Sequence, residues 1–205
     1  MITINMIFVL MLIQLSRAGL VLILHSVYEP AVLFENFTLV LIGIVLCLIY
    51  KPDKNNLGFN FSHNKKLYII STLIIVLLII SSPVFYVNSN FEDIIFMLEA
   101  VLLYPIFEEL LFRGYIWSEY VKYGVKEWKI YLVTTVLFGL WHLGYWDTIY
   151  YRASQNFESV NMPEVMFFKV LIGMAYGTIA GFVRLKTKNV YSSILVHSFL
   201  NIFGR

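Results

Sequence analysis

Glu108, Glu109, His142 and His197 can take or give protons, and each stands inside an apolar stretch of a 205-residue chain. The segments read Phe107-Glu108-Glu109-Leu110-Leu111-Phe112-Arg113, Phe138-Gly139-Leu140-Trp141-His142 and His197-Ser198-Phe199-Leu200-Asn201. An ionisable group at the centre of a bilayer costs at least a few kcal/mol, so each is by default a functional-site hypothesis with a partner to be named. Residues four apart share a helix face. Phe138 therefore stacks below His142, His197 lines up with Asn201, and Glu109 faces Arg113. Glu109 claims the nearest arginine, and two adjacent carboxylates competing for one cation leave Glu108 as a base suited to take a proton from water. Each pair also has a plainer role: an intrahelical ion pair at the interface, interhelical hydrogen-bonding glue, or a packing histidine. Taken together, the three segments favour chemistry.

Positioning such groups requires membrane helices. Hydrophobic residues make up 60% of the chain and charged residues 14%, with a mean hydropathy of +0.77, whereas soluble domains carry about 25% charged residues. The composition predicts a single all-α integral membrane domain over residues 1–205, a polytopic transmembrane helix bundle. A spanning helix needs roughly 20 apolar residues, and about seven candidates satisfy this: 2–25, 31–50, 67–87, 94–112, 130–147, 164–183 and 189–203. The first lacks the basic start and cleavage site of a secretion signal and reads as a retained span weakened by Ser16-Arg17. At 1.5 Å per residue, Glu108 lies roughly 21 Å from Lys122, His142 roughly 20 Å from Lys129, and His197 and Asn201 roughly 13 and 20 Å from Lys188. The groups can therefore meet at one depth.

The connections alternate in charge. Lys51, Lys54, Lys65 and Lys66 follow the second span; Arg113, Lys122, Lys126 and Lys129 the fourth; Arg184, Lys186 and Lys188 the sixth. The positive-inside rule puts these on the cytoplasmic side, with the N-terminus inside and the C-terminus outside. Residues 114–129 mix aromatic and basic side chains and read as an interfacial loop, or else as an outward continuation of the fourth helix that turns at Gly124. Glu99 falls half a turn out of phase with Glu108 and, with Lys169, reads as a boundary residue. Gly173, Gly177 and Gly181 form a small-residue ridge for close helix packing. Cys47 sits alone in an apolar run, so it forms no internal disulfide and no cage of thiolates. The net charge of +2 is too small and too scattered to imply a nucleic-acid partner.

Glu-Glu-x-x-x-Arg, Phe-x-x-x-His and His-x-x-x-Asn, in this order on successive apolar segments, resemble the CPBP intramembrane protease family. That family includes the CAAX prenyl proteases and the Abi proteins of bacteriocin self-immunity. The resemblance covers residues 94–203, and the N-terminal half matches only as generic spans. It implies peptide-bond hydrolysis in the membrane. Glu108 with His142 would hold and deprotonate the attacking water, His197 and Asn201 would donate to the oxyanion, and Glu109 with Arg113 would orient Glu108. It also implies a membrane-associated peptide or protein substrate and a metal-free, glutamate-dependent site.

Three alternatives stand beside this reading. Two histidines and a glutamate are also the ligand set of many catalytic zinc sites, although the His-Glu-x-x-His helix motif is missing. A non-catalytic immunity or scaffold protein could use the same spans to bind a toxin peptide or a partner helix. A proton-relay transporter would need repeats or broken helices, and only Pro105, just before Glu108, hints at one. Many Ile, Asn and Lys residues point to an AT-rich bacterial source, hence the cytoplasmic membrane.

Overall fold

The structure, a computed structural model, describes residues 2–25, 35–50, 57–59, 65–85, 91–156 and 159–203. Every regular element among them is helical. The elements that matter for the site are α1 (Ile2–His25), α2 (Glu35–Tyr50), α3 (Lys65–Ile80), α4 (Phe91–Leu98), α5 (Tyr104–Glu109), α6 (Trp117–Lys122), α7 (Glu127–Trp141), α8 (Trp146–Asn156), α9 (Met162–Thr187) and α10 (Val190–Phe203). Parts of the expected second and third spans, 31–34 and 86–87, lie outside the described residues, as do the lysines at 51 and 54.

Two helical stretches are long and apolar enough to cross a bilayer, Ile2–Leu24 and Met162–Thr187, and Thr38–Leu48 and Val190–Phe203 are shorter apolar helices. The outward faces carry large apolar side chains: on α3, Leu67, Ile69, Leu73 and Leu77 are all more than half exposed, while Ile75 and Ile79 are buried. A soluble monomer rarely shows contiguous apolar patches above a few hundred Å². A lipid environment makes such faces favourable.

The stretch expected as a span over 94–112 is part of one continuous rod over residues 91–122. Two π-helical stretches, Glu99–Leu103 and Leu110–Ile116, join α4 to α5 and α5 to α6 without leaving helical backbone angles. Pro105 occupies the first turn of α5. It has no N–H and cannot sit in an ordinary helix interior without cost; the widened turn before it accommodates the ring. π-Bulges also change which residues share a face. This undoes the constant 100° phase that turns Glu99 away from the site, and Glu99 is buried.

Residues 114–129 follow the helical of the two readings: the helix runs to Lys122, then turns at Gly124, whose φ of +69° suits glycine. Trp117 and Tyr120 are core residues, buried with Phe112, Ile116 and Ile130, while Tyr123 and Trp128 are exposed. Arg113 and Arg184 are not loop charges; both are buried. Arg184 lies over the Trp117 ring and donates from Nε to the Arg113 carbonyl at 3.1 Å. Lys188, at the end of α9, pairs instead with Glu127 at the start of α7. The segment after the fifth expected span holds α8, an amphipathic helix rather than a plain loop.

α7 packs along α9, with glycines on both sides of the contact. A Cβ at Gly139 would lie 2.3 Å from Met174 Cγ, and one at Gly173 2.7 Å from His142 Nδ1. At Gly177 it would meet Arg113 Nη2 and Phe138 at 3.2 Å each, and at Gly181 the Tyr131 ring at 2.9 Å. The ridge therefore packs α9 onto the face of α7 that carries Phe138 and His142. Gly177→Val should lower stability by about 1–3 kcal/mol through overpacking, read from thermal unfolding in detergent. Gly19→Ala, whose Cβ would meet nothing within 4 Å, should cause no loss.

Candidate active site

Glu108 and Glu109 close α5, between the two π stretches, and both are buried. Neighbouring residues of a helix point about 100° apart, and here that angle sends the two carboxylates to different partners. Glu109 Oε1 accepts from Arg113 Nη1 at 3.2 Å and from His197 Nδ1 at 3.0 Å. Arg113 Nη2 donates to the Gly177 carbonyl of α9 at 2.8 Å, and its guanidinium lies 4.5 Å from the Phe138 ring centre. Both side chains of the Glu109–Arg113 pair are fully buried. The pair is therefore more than an interfacial ion pair, because it reaches α9 and α10.

Glu108 faces α7. Its Oε1 accepts from Trp141 Nε1 at 2.9 Å and from the Tyr145 hydroxyl at 3.1 Å, and Trp141 Nε1 also reaches the Tyr145 oxygen at 3.0 Å. Both donors fall on the same oxygen. The other, Oε2, faces His197 Nε2 at 3.9 Å, beyond hydrogen-bond distance. A carboxylate only accepts, so the His197 ring gives its Nδ1–H to Glu109 and turns Nε2 toward Glu108.

His142 begins the 3₁₀ turn His142–Tyr145 that follows α7. Its Nδ1 donates to the Phe138 carbonyl at 2.9 Å, since a carbonyl can only accept, and this leaves Nε2 as the open ring nitrogen. Phe138 stacks edge-on against both imidazoles, with ring centres 5.2 Å from His142 and 5.6 Å from His197. The Tyr145 ring lies 6.0 Å from His142. The expected pairs Phe138/His142 and Glu109/Arg113 thus meet as their spacing requires.

Asn201 is placed differently from the others. Its Nδ2 donates to the Ala100 carbonyl at 2.7 Å. The π register explains why that carbonyl needs a partner. The Tyr104 N–H bonds Glu99 O, five residues back; the next donor in that register would be Pro105, which has none. Asn201 fills the gap, so one of its amide hydrogens is committed to holding the rod against α10.

The sequence does not mark Trp141 or Tyr145 as site residues, and it marks Arg17 only as a weak point of the first span. Trp141 and Tyr145 stand four apart, but neither carries a charge, so the cost of burying charge does not mark them. Arg17 did carry one, as an ionisable side chain within an apolar span. Among the described residues, no group of three His, Cys, Asp or Glu side chains is arranged to hold a metal ion.

Removing Arg113 would leave the Glu109 charge buried and uncompensated. Arg113→Ala should cost about 3–5 kcal/mol of stability, measured by denaturant unfolding in detergent. Arg113→Lys should recover only part of it, because one ammonium cannot span Glu109 and the Gly177 carbonyl as the planar fork does.

A family model described as Type II CAAX prenyl endopeptidase Rce1-like matches residues 89–203, more than half of the 205. Comparison with curated proteins and with solved structures gives no match. The matched segment begins just before α4 and ends with α10, so it contains the whole carboxylate–imidazole cluster. A match over that much of the chain shows that it belongs to the Rce1-like family of CAAX endopeptidases.

Proposed function

We propose that the protein is a multi-pass intramembrane endopeptidase of the glutamic type, with about seven spans, in a bacterial cytoplasmic membrane. It would hydrolyse a peptide bond of a membrane-associated peptide or protein. The observation that carries this reading is the asymmetric binding of Glu108. Two donors hold Oε1, while Oε2 faces His197 across 3.9 Å. A base must be fixed in direction yet keep a lone pair for the proton it removes.

In this reading a water held by Glu108 and His142 attacks the substrate carbonyl carbon. Its proton passes to Glu108 Oε2, and the carbonyl oxygen becomes the oxyanion of a tetrahedral intermediate. His197, when its Nε2 is protonated, and Asn201, through its second amide hydrogen, donate to that oxyanion. Each such preorganised donor can supply on the order of 3–4 kcal/mol. The C–N bond then breaks, and Glu108 returns the proton to the leaving nitrogen. Glu109 and Arg113 hold His197 and the helix in register throughout. The reading uses no cofactor and is supported by the partners already present: Glu109 is engaged by Arg113 and His197, and Glu108 by Trp141 and Tyr145.

The deciding experiment compares membrane peptide profiles of cells carrying the native chain and Glu108→Ala. A cleavage product should appear with the native chain only, and the rate on that product's precursor should fall by about 10²–10⁴ in the variant. Cleavage by Glu108→Ala at the native rate would overturn the mechanism. A chelator of divalent metals should leave the native rate unchanged; a loss restored by added zinc would favour the metal alternative.

A further inference from the structure

Arg17 lies on α1, outside the matched segment, and none of its side chain is exposed. In the sequence it looks like a flaw in an apolar span. In the structure it is a clamp on the turn that carries His142. Its Nη2 donates to the Gly144 carbonyl at 2.6 Å and to Asp147 Oδ1 at 2.7 Å; its Nη1 donates to Thr148 Oγ1 at 3.3 Å. Nε donates to Gln14 Oε1 at 2.8 Å, and Gln14 in turn donates to the Trp141 carbonyl at 3.2 Å.

These contacts answer a specific need. The last carbonyls of a helix have no partner within it, and in hydrocarbon an unsatisfied carbonyl costs several kcal/mol. Trp141 O and Gly144 O lie where α7 ends and the 3₁₀ turn follows. Gln14 and Arg17 supply donors to both from a neighbouring helix, and a cation is favoured at a helix C-terminus. Asp147, in the first turn of α8, balances that cation. Gly144 lets the two helices approach: a Cβ there would lie 2.3 Å from Gln14 Cδ.

The same turn ends at Tyr145. The Arg17 guanidinium lies 5.3 Å from the Tyr145 ring centre, and the hydroxyl of that ring is one of the two donors to Glu108 Oε1. The other donor, the Trp141 indole, belongs to the residue whose carbonyl Gln14 holds. We propose that Arg17 is a positioning residue for Glu108, acting through the turn His142–Tyr145. Its role as an aid to hydrolysis rests on the endopeptidase reading above; its effect on the geometry of Glu108 does not.

The test reads that geometry directly. The indole N–H resonances of ¹⁵N-labelled protein in detergent are assigned by Trp→Phe substitution. Glu108→Gln sets the displacement that the Trp141 resonance undergoes when its carboxylate partner loses its charge. Arg17→Lys and Arg17→Gln should move the Trp141 resonance in that same direction, while Trp117, which lies under Arg184, stays in place. Arg17→Lys keeps a charge for Asp147 but cannot also reach Gly144 O and Gln14, so it serves where Arg17→Gln does not fold. A Trp141 resonance unmoved in Arg17→Lys, with the fold intact, overturns the proposal.

On a precursor identified from the peptide profiles, Arg17→Lys should lower kcat by about 10- to 100-fold with KM unchanged. The two readings fail separately. A shifted Trp141 resonance with an active Glu108→Ala protein removes the hydrolase and leaves the clamp. An inactive Glu108→Ala protein with an unmoved Trp141 resonance removes the clamp and leaves the hydrolase.

Discussion

Glu109, a carboxylate with no exposed surface, is the contact on which the rest of the site depends. A single oxygen of it binds both Arg113 and His197, and Arg113 continues to the Gly177 carbonyl. These bonds join the 91–122 rod to α10 and α9. Stripping water from an ion pair costs several kcal/mol per ion unless good geometry and further hydrogen bonds offset it. The arrangement therefore tolerates little movement of the three helices. Phe138 of α7 closes the cluster, with its ring beneath the guanidinium and against both imidazoles.

The adjacent carboxylate inherits its position from this constraint. With Glu109 turned toward α10, the helical rotation of about 100° per residue turns Glu108 toward α7, where Trp141 and Tyr145 receive it. One acid ties the helices together, and in the proposed mechanism its neighbour is the base. The two π stretches belong to the same solution. They flank the acid pair and widen the helix beside Pro105. The cost is a carbonyl left without a donor at Ala100, and Asn201 offsets it. That bond gives Asn201 a structural duty beside the one its position in the His-x-x-x-Asn motif suggests.

Much of this was legible in the sequence because it follows from period and cost. The i, i+4 spacing placed Arg113 with Glu109 and Phe138 with His142. The expense of burying charge marks Glu108, Glu109, His142 and His197 as partners; Glu109 and His197 bond directly, and Glu108 Oε2 lies 3.9 Å from His197. The glycine ridge of α9 was readable from its four-residue repeat. Other features were hidden for physical reasons. A constant helical phase cannot foresee a π stretch, so it says nothing reliable about which way Glu99 turns, and Glu99 is buried. Aromatic and basic residues together suit an interface, yet Trp117 and Tyr120 pack in the core. Arg17 met the criterion that found the glutamates, but its partners, Gly144 O, Asp147 and Thr148, lie more than a hundred residues away and show no pattern with it.

A double-mutant cycle between Glu109 and His197 tests the central contact most directly. Unfolding free energies would be measured in detergent for the native chain, Glu109→Gln, His197→Gln and the double variant. The expected coupling is at least about 1 kcal/mol, within the range for residues sharing a buried network. Additivity within about 0.3 kcal/mol would mean that the Glu109–His197 bond does not hold the site together.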